Sequence, residues 1–122
     1  MTFALSYSKT NYYLARIRKY LREEDHFVKL NSKLKWQNKA REFDPTITAI
    51  RKGDKIIMSS GFEVLQLNPC KDIMATLIHE SLHGLYYDTP EKRIIELENA
   101  IMAKATDRQF KNLLKIMVDK LI

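Results

Sequence analysis

A chain of 122 residues has room for one domain and not for two. Apolar residues make up 45% of it, enough for a modest core, and no stretch approaches the ~18 apolar residues of a membrane span. The single cysteine, Cys70, excludes an intrachain disulfide. The first residues lack the layout of a signal peptide, so the expected setting is the cytoplasm. The net charge of +6 is uneven: residues 1–55 hold 13 Lys/Arg against 6 Asp/Glu, and residues 56–122 hold 8 against 9. A basic first half suits a polyanion partner such as nucleic acid, or simply a solvated face. No nucleic-acid motif accompanies the charge, which favours the solvated face.

In chain order, "NYYLARIRKYL" predicts a helix from Asn11 to about Leu21, capped by Thr10. Its inward face would carry Tyr13, Ile17, Tyr20 and Leu21. The charged stretch from Arg22 to Phe43 is ambiguous, with a second helix expected near "SKLKWQNKAREF" and a break at Asp44-Pro45. "TITAIRKGDKIIMSS", Thr46 to Ser60, reads as a hairpin turning at Lys52-Gly53-Asp54, where glycine supplies the positive φ of a tight turn. "FEVLQL", Phe62 to Leu67, is a weaker third strand. Asn68-Pro69 then opens a helix as cap and first residue, ending between Gly84 and Asp88. Thr89-Pro90-Glu91 opens the next, running to about Ala105. A last helix, "DRQFKNLLKIMVDKLI", aligns Phe110, Leu113, Leu114, Met117, Val118 and Leu121. Helices, short strands, then helices imply an α+β fold, with a small antiparallel or mixed sheet of about three strands on a helical layer. The whole chain, 1–122, is expected to be one domain, with a basic helical part over 1–45 and a catalytic core over about 46–122.

The helix after Asn68-Pro69 carries "HESLH". On a helix, His79 and His83 lie one turn apart on one face, so both imidazoles can reach one ion. Zn2+ suits neutral imidazole nitrogen, and Glu80 lies beside them, able to act as a general base without ligating. The apolar stripe of the same helix runs through Ile73, Met74, Leu77, Ile78, Leu82 and Leu85, and the histidines fall outside it. A chance HExxH in a chain this long is roughly a one-in-a-few-hundred event, so a metal site outweighs two unconnected surface histidines.

A catalytic zinc site wants a third protein ligand and an open position. The remaining histidine, His26, sits in the polar "EEDHFVK" and reads as solvated. The acidic candidates are Glu91, Glu96 and Glu98. Glu98 falls within the inward stripe of Ile94, Ile95, Leu97, Ile101 and Met102, where a carboxylate is costly unless something pairs with it. Glu91 shares that face but sits in the first turn, where the helix dipole favours it anyway. Glu96 points away, among Lys92, Arg93 and Asn99. Glu98 leads, with Glu91 and Glu96 as alternatives.

"HESLH" with an acidic residue on the following helix resembles the gluzincin metallopeptidases, and most of all their minimal, zincin-like forms and the compact HExxH proteins of phages and mobile elements. The resemblance covers roughly residues 55–105. It implies a zinc metalloendopeptidase hydrolysing protein or peptide substrates. His79 and His83 would be ligands with Glu98 as the third, and Glu80 would take a proton from water and deliver it to the leaving amine. Many members show E-x-x-A-D or E-x-x-A-N around the ligand glutamate; "ELENAIMA" departs from this, and strict spacing would select Glu96 with Asn99 beside it. Tyr86 and Tyr87 are candidate oxyanion donors, although packing at a helix end accounts for them more simply. Lys55 to Ser60 is a candidate edge strand for an extended substrate. Two other functions compete: a basic nucleic-acid-associated protein whose zinc is structural or absent, and a latent enzyme or pseudo-enzyme whose zinc site is not catalytic. A structural site would ordinarily use four protein ligands, often cysteines, and Cys70 is alone.

Overall fold

The computed structural model describes residues 3–32, 63–70 and 72–122, and the backbone of 42–44, 49–52 and 55–58. The chain is a mixed α+β protein. Its elements run α1 (Tyr7–Arg22), β1 (His26–Leu30), β2 (Glu42–Asp44), β3 (Ala49–Lys52), β4 (Lys55–Met58), β5 (Glu63–Leu67), α2 (Ile73–Leu85), α3 (Glu91–Lys104) and α4 (Asp107–Asp119).

Among the described residues the sheet has five strands in the order β1-β5-β4-β3-β2, two more than the sequence suggests. β1 pairs with β5 in parallel, with Val28 opposite Leu65, and the remaining pairs are antiparallel. β1 was hidden because its pairing is non-local: "HFVKL" becomes a strand by adding to β5, far along the chain. The helix expected near "SKLKWQNKAREF" gives way at its end to β2, and its residues 33–41 lie outside those described. The N-terminal part is therefore not purely helical. Residues 53–54 of the expected turn are also outside the described set, although β3 and β4 flank them antiparallel. β4 has partners on both sides, so it is no edge on which a substrate could lie; that expectation is corrected. The outer side of β1 is taken by the chain's last residues, where the Val28 amide donates to the Lys120 carbonyl (2.9 Å) and the Ile122 amide to the Val28 carbonyl (2.9 Å).

Helix boundaries follow side-chain capping more closely than the sequence reading did. α1 starts four residues early because Ser6, not Thr10, accepts the Lys9 amide (3.1 Å). Thr10 is instead buried and its hydroxyl donates to the Ser6 carbonyl. α2 starts late: Asn68 accepts the Cys70 amide in a local turn, and Asp72 caps the Met74 and Ala75 amides at 3.1 Å each. Pro90 is the cap of α3 rather than its first residue. α4 is closed by a full capping box between Thr106 and Gln109.

α1 contacts β1, α2 contacts β5, and α3 and α4 pack beside them, so one core lies between the sheet and the helices. It joins Leu14, Ile17, Leu21 and Val28 from the N-terminal part to Leu77, Ile78, Leu82, Ile94, Ile101 and Leu113. The inward faces differ in detail from expectation. Leu14 replaces Tyr13 at the centre of α1, and Ile95 is exposed while Ala100 is buried. In α4, Ile116 is buried and Leu114 and Val118 face solvent, because that helix is rotated about one residue from the reading.

Candidate metal centre

α2 carries its apolar side, Leu77, Ile78 and Leu82, fully into the core. That fixes the helix about its own axis and leaves His79 and His83 half-buried on the flank facing α3. Their rings meet edge to face, with centroids 4.8 Å apart. Glu80 is 7% exposed, deeper than either histidine. His79, Glu80 and His83 offer ligand atoms within 4.8 Å of one another and could hold a metal ion.

The tight turn between α2 and α3 is closed by the Thr89 amide donating to the Tyr86 carbonyl (2.9 Å). It returns the first turn of α3 across the two histidines. One oxygen of Glu91 lies 2.8 Å from Nε2 of His79 and the other 2.6 Å from Nε2 of His83. Two turns further on, Glu98 lies 2.7 Å from the other ring nitrogen of His79, Nδ1. Glu91 is 51% exposed and Glu98 19% exposed, so the pair forms an outer and an inner carboxylate. Glu96, half-buried on the same helix, takes no part in these contacts. The inward seat expected for Glu98 is therefore seen, but it meets the nitrogen away from Glu91. The first-turn position of Glu91, which helix electrostatics explains by itself, is the one that spans both histidines.

His26 is not solvated. It stands in β1 with Nε2 2.7 Å from Glu63 and Nδ1 donating to the Tyr20 carbonyl at 2.6 Å. Its ring also packs on that of Tyr20, at 4.3 Å between centroids. The alternation of strand β1 points it inward, a signal available only once that strand is recognised. Of the two tyrosines after His83, Tyr87 is exposed. Tyr86 packs edge-on against Tyr13, with the Arg16 guanidinium over its ring (5.6 Å), and burial pushes its hydroxyl pKa up. Packing is thus the observed role of Tyr86. Of the basic half, Lys9, Arg16 and Lys19 stand exposed on α1. Arg16 is gathered between the rings of Tyr12 and Tyr86, whose charge-stabilising effect raises its pKa.

Gly84 marks where α1 touches α2. A Cβ there would overlap Oη and Cζ of Tyr20 and sit 2.8 Å from Cε1. In a free helix Gly→Ala gains about 1 kcal/mol. Against a buried ring, overpacking costs about 1–3 kcal/mol. Gly84→Ala should therefore destabilise the protein by up to about 2 kcal/mol in urea unfolding; a gain in stability would show that the ring yields freely.

No family model matches the chain, and no curated protein or solved structure matches it either. No helix among the described residues is long and apolar enough to cross a membrane.

Proposed function

We propose that the chain is a zinc-dependent metallopeptidase with a minimal zincin-like arrangement, in which His79, His83 and Glu91 hold the metal and Glu80 is the general base. One observation supports this above all: a single carboxylate, Glu91, spans the Nε2 atoms of both histidines, at 2.8 and 2.6 Å. A carboxylate only accepts, so each of those contacts shares a proton. An ion taking the place of the shared protons would meet two imidazole nitrogens and a carboxylate oxygen, a set that suits zinc. The inner carboxylate suits a different task. Glu98 accepts from Nδ1 of His79, which fixes the ring and leaves Nε2 for the ion. Glu98, the leading ligand candidate on sequence grounds, thereby becomes the residue that orients a ligand.

A bound zinc ion supplies Lewis acidity, polarising a carbonyl and acidifying water. The chain supplies the rest. Glu80 lies one residue from the first ligand, buried, and its carboxylate takes up a proton from water and returns it to the leaving amine. Burial keeps Glu80 from bulk solvent and strengthens its electrostatic influence. The peptide bond as substrate rests on the likeness of "HESLH" and its following glutamate helix to gluzincins.

Glu80→Gln tests the reading. It should retain zinc while cleavage of an unfolded protein such as casein falls by about 10²–10⁴-fold. Undiminished cleavage by this variant, or a zinc-loaded wild type inert towards a broad peptide library, would remove the proposal.

A further inference from the structure

α1 differs from the neighbouring helices in the sign of its charge. It holds Lys9, Arg16, Arg18, Lys19 and Arg22 and no acidic residue. α3 sets Lys92, Arg93 and Lys104 against Glu91, Glu96 and Glu98, and α4 sets Arg108, Lys111 and Lys115 against Asp107 and Asp119. A face that serves only to be solvated mixes its signs as α3 and α4 do. Among the described residues, none of the α1 cations forms an ion pair with a carboxylate. Like charges this close repel one another, and a polyanion removes that cost.

Their placement is ordered. Leu14, Ile17 and Leu21 turn the apolar side of α1 into the core. On the outer side, the exposed Lys9, Tyr12, Arg16 and Lys19 each follow the last by about one turn, so they form one stripe with roughly 5–6 Å between neighbours. Tyr12 is 50% exposed, with the Arg16 guanidinium 5.7 Å and the Lys9 ammonium 5.8 Å from its ring centre. Arg16 also donates to the Tyr12 hydroxyl at 3.5 Å and lies over the Tyr86 ring, which holds its charge in place. At the start of the helix, Tyr7 is 68% exposed and has the Lys104 ammonium over its ring at 4.5 Å. At the other end the exposed Glu23, Glu24 and Asp25 close the track. The cationic surface therefore runs from Lys9 to Arg22, about 20 Å at the rise of an α-helix.

We infer that this face of α1 is a docking surface for single-stranded nucleic acid, with phosphates on Lys9, Arg16, Lys19 and Arg22 and a base stacked at Tyr12. Regularly spaced cations follow a phosphate backbone, and an exposed aromatic ring among them accepts a base of any identity. An anionic membrane fits less well, because the apolar residues that would enter it are buried in the core. An acidic protein would use the cations and leave Tyr12 without a task. The inference stands on α1 and does not depend on the metallopeptidase reading.

The test titrates full-length protein into fluorescein-labelled oligothymidine and reads fluorescence anisotropy at several salt concentrations. Binding should weaken as salt rises, with a log–log slope of about −2 to −3 for three or four phosphate contacts. Lys9→Gln/Arg16→Gln/Lys19→Gln should keep its melting temperature, bind about tenfold or more weakly and flatten the slope by about 2. Lys92→Gln/Lys111→Gln/Lys115→Gln removes the same charge from α3 and α4 and should bind within about threefold of wild type. Tyr12→Leu should weaken binding about fivefold or more at unchanged slope, the mark of a lost stacking contact. Zinc-free protein should bind as well as the zinc-loaded form, so this inference and the metallopeptidase reading can fail separately. The inference is overturned by an absence of binding, by an equal loss in the α3/α4 variant, or by wild-type affinity in Tyr12→Leu. Tighter binding to phosphatidylserine vesicles than to oligothymidine overturns it as well.

Discussion

Purified His79→Ala/His83→Ala protein should carry no zinc, while the wild type should carry about one ion per chain, the occupancy of a three-ligand catalytic site. Both Nε2 atoms converge on one carboxylate, so losing both imidazoles removes two of three donors at once. The single-carboxylate variants are more discriminating. Glu98 contacts His79 through Nδ1. Its removal should weaken zinc binding by the ~10–100-fold typical of groups that orient a ligand. Glu91 faces both Nε2 atoms. On the proposed reading its removal takes away a ligand, and the loss should exceed that range. Competition titration with a chelator gives both constants. The reverse order, with Glu98→Ala the weaker binder, would return the third-ligand role to Glu98.

The second large effect concerns the platform under the site. Leu82 is fully buried on α2, between His79 and His83 in sequence and turned into the core beside them. Leu82→Ala removes three heavy atoms from a closed core, which costs about 2–5 kcal/mol. Set against a total of ~5–15 kcal/mol, that is a large share of the protein's stability. Urea unfolding should show a lower midpoint with an unchanged slope. Saturating zinc, at ~100 times its dissociation constant, should restore about 2.7 kcal/mol, because the ion binds only the folded site. A loss below ~1 kcal/mol would mean that the core collapses around the gap; an absence of rescue by zinc would uncouple the site from folding.

The sequence made the site's centre legible because it is local. His79, Glu80 and His83 lie within a turn and a half of one helix, and periodicity alone puts the histidines off the buried stripe. Glu98 was legible for the same reason, as a carboxylate on an inward face. What escaped depended on contacts between distant segments. β1 exists because β5 is beside it, and no alternation in "HFVKL" announces that. His26 was misread as solvated as a direct result, since its burial follows from the strand. Glu91 was named only as an alternative, for a different reason. The helix dipole gave it a sufficient local explanation, and only the tightness of the turn at Tyr86–Pro90 carries it back over the histidines. Asn68-Pro69 shows the limit of capping signals: the pair forms a turn, and Asp72, four residues on, captures the two amides that fix the helix start.

Residues 120–122 cover the outer side of β1. Lys120 and Ile122 are stitched to Val28 by backbone hydrogen bonds, and the Lys120 ammonium donates to the Glu23 carbonyl at 2.7 Å. They shield a strand that would otherwise present unpaired amides to any neighbouring molecule. Replacing Leu121 and Ile122 by residues that cannot hold this bridge should bare the free edge of β1 to strand pairing between molecules, read as a concentration-dependent rise in apparent mass.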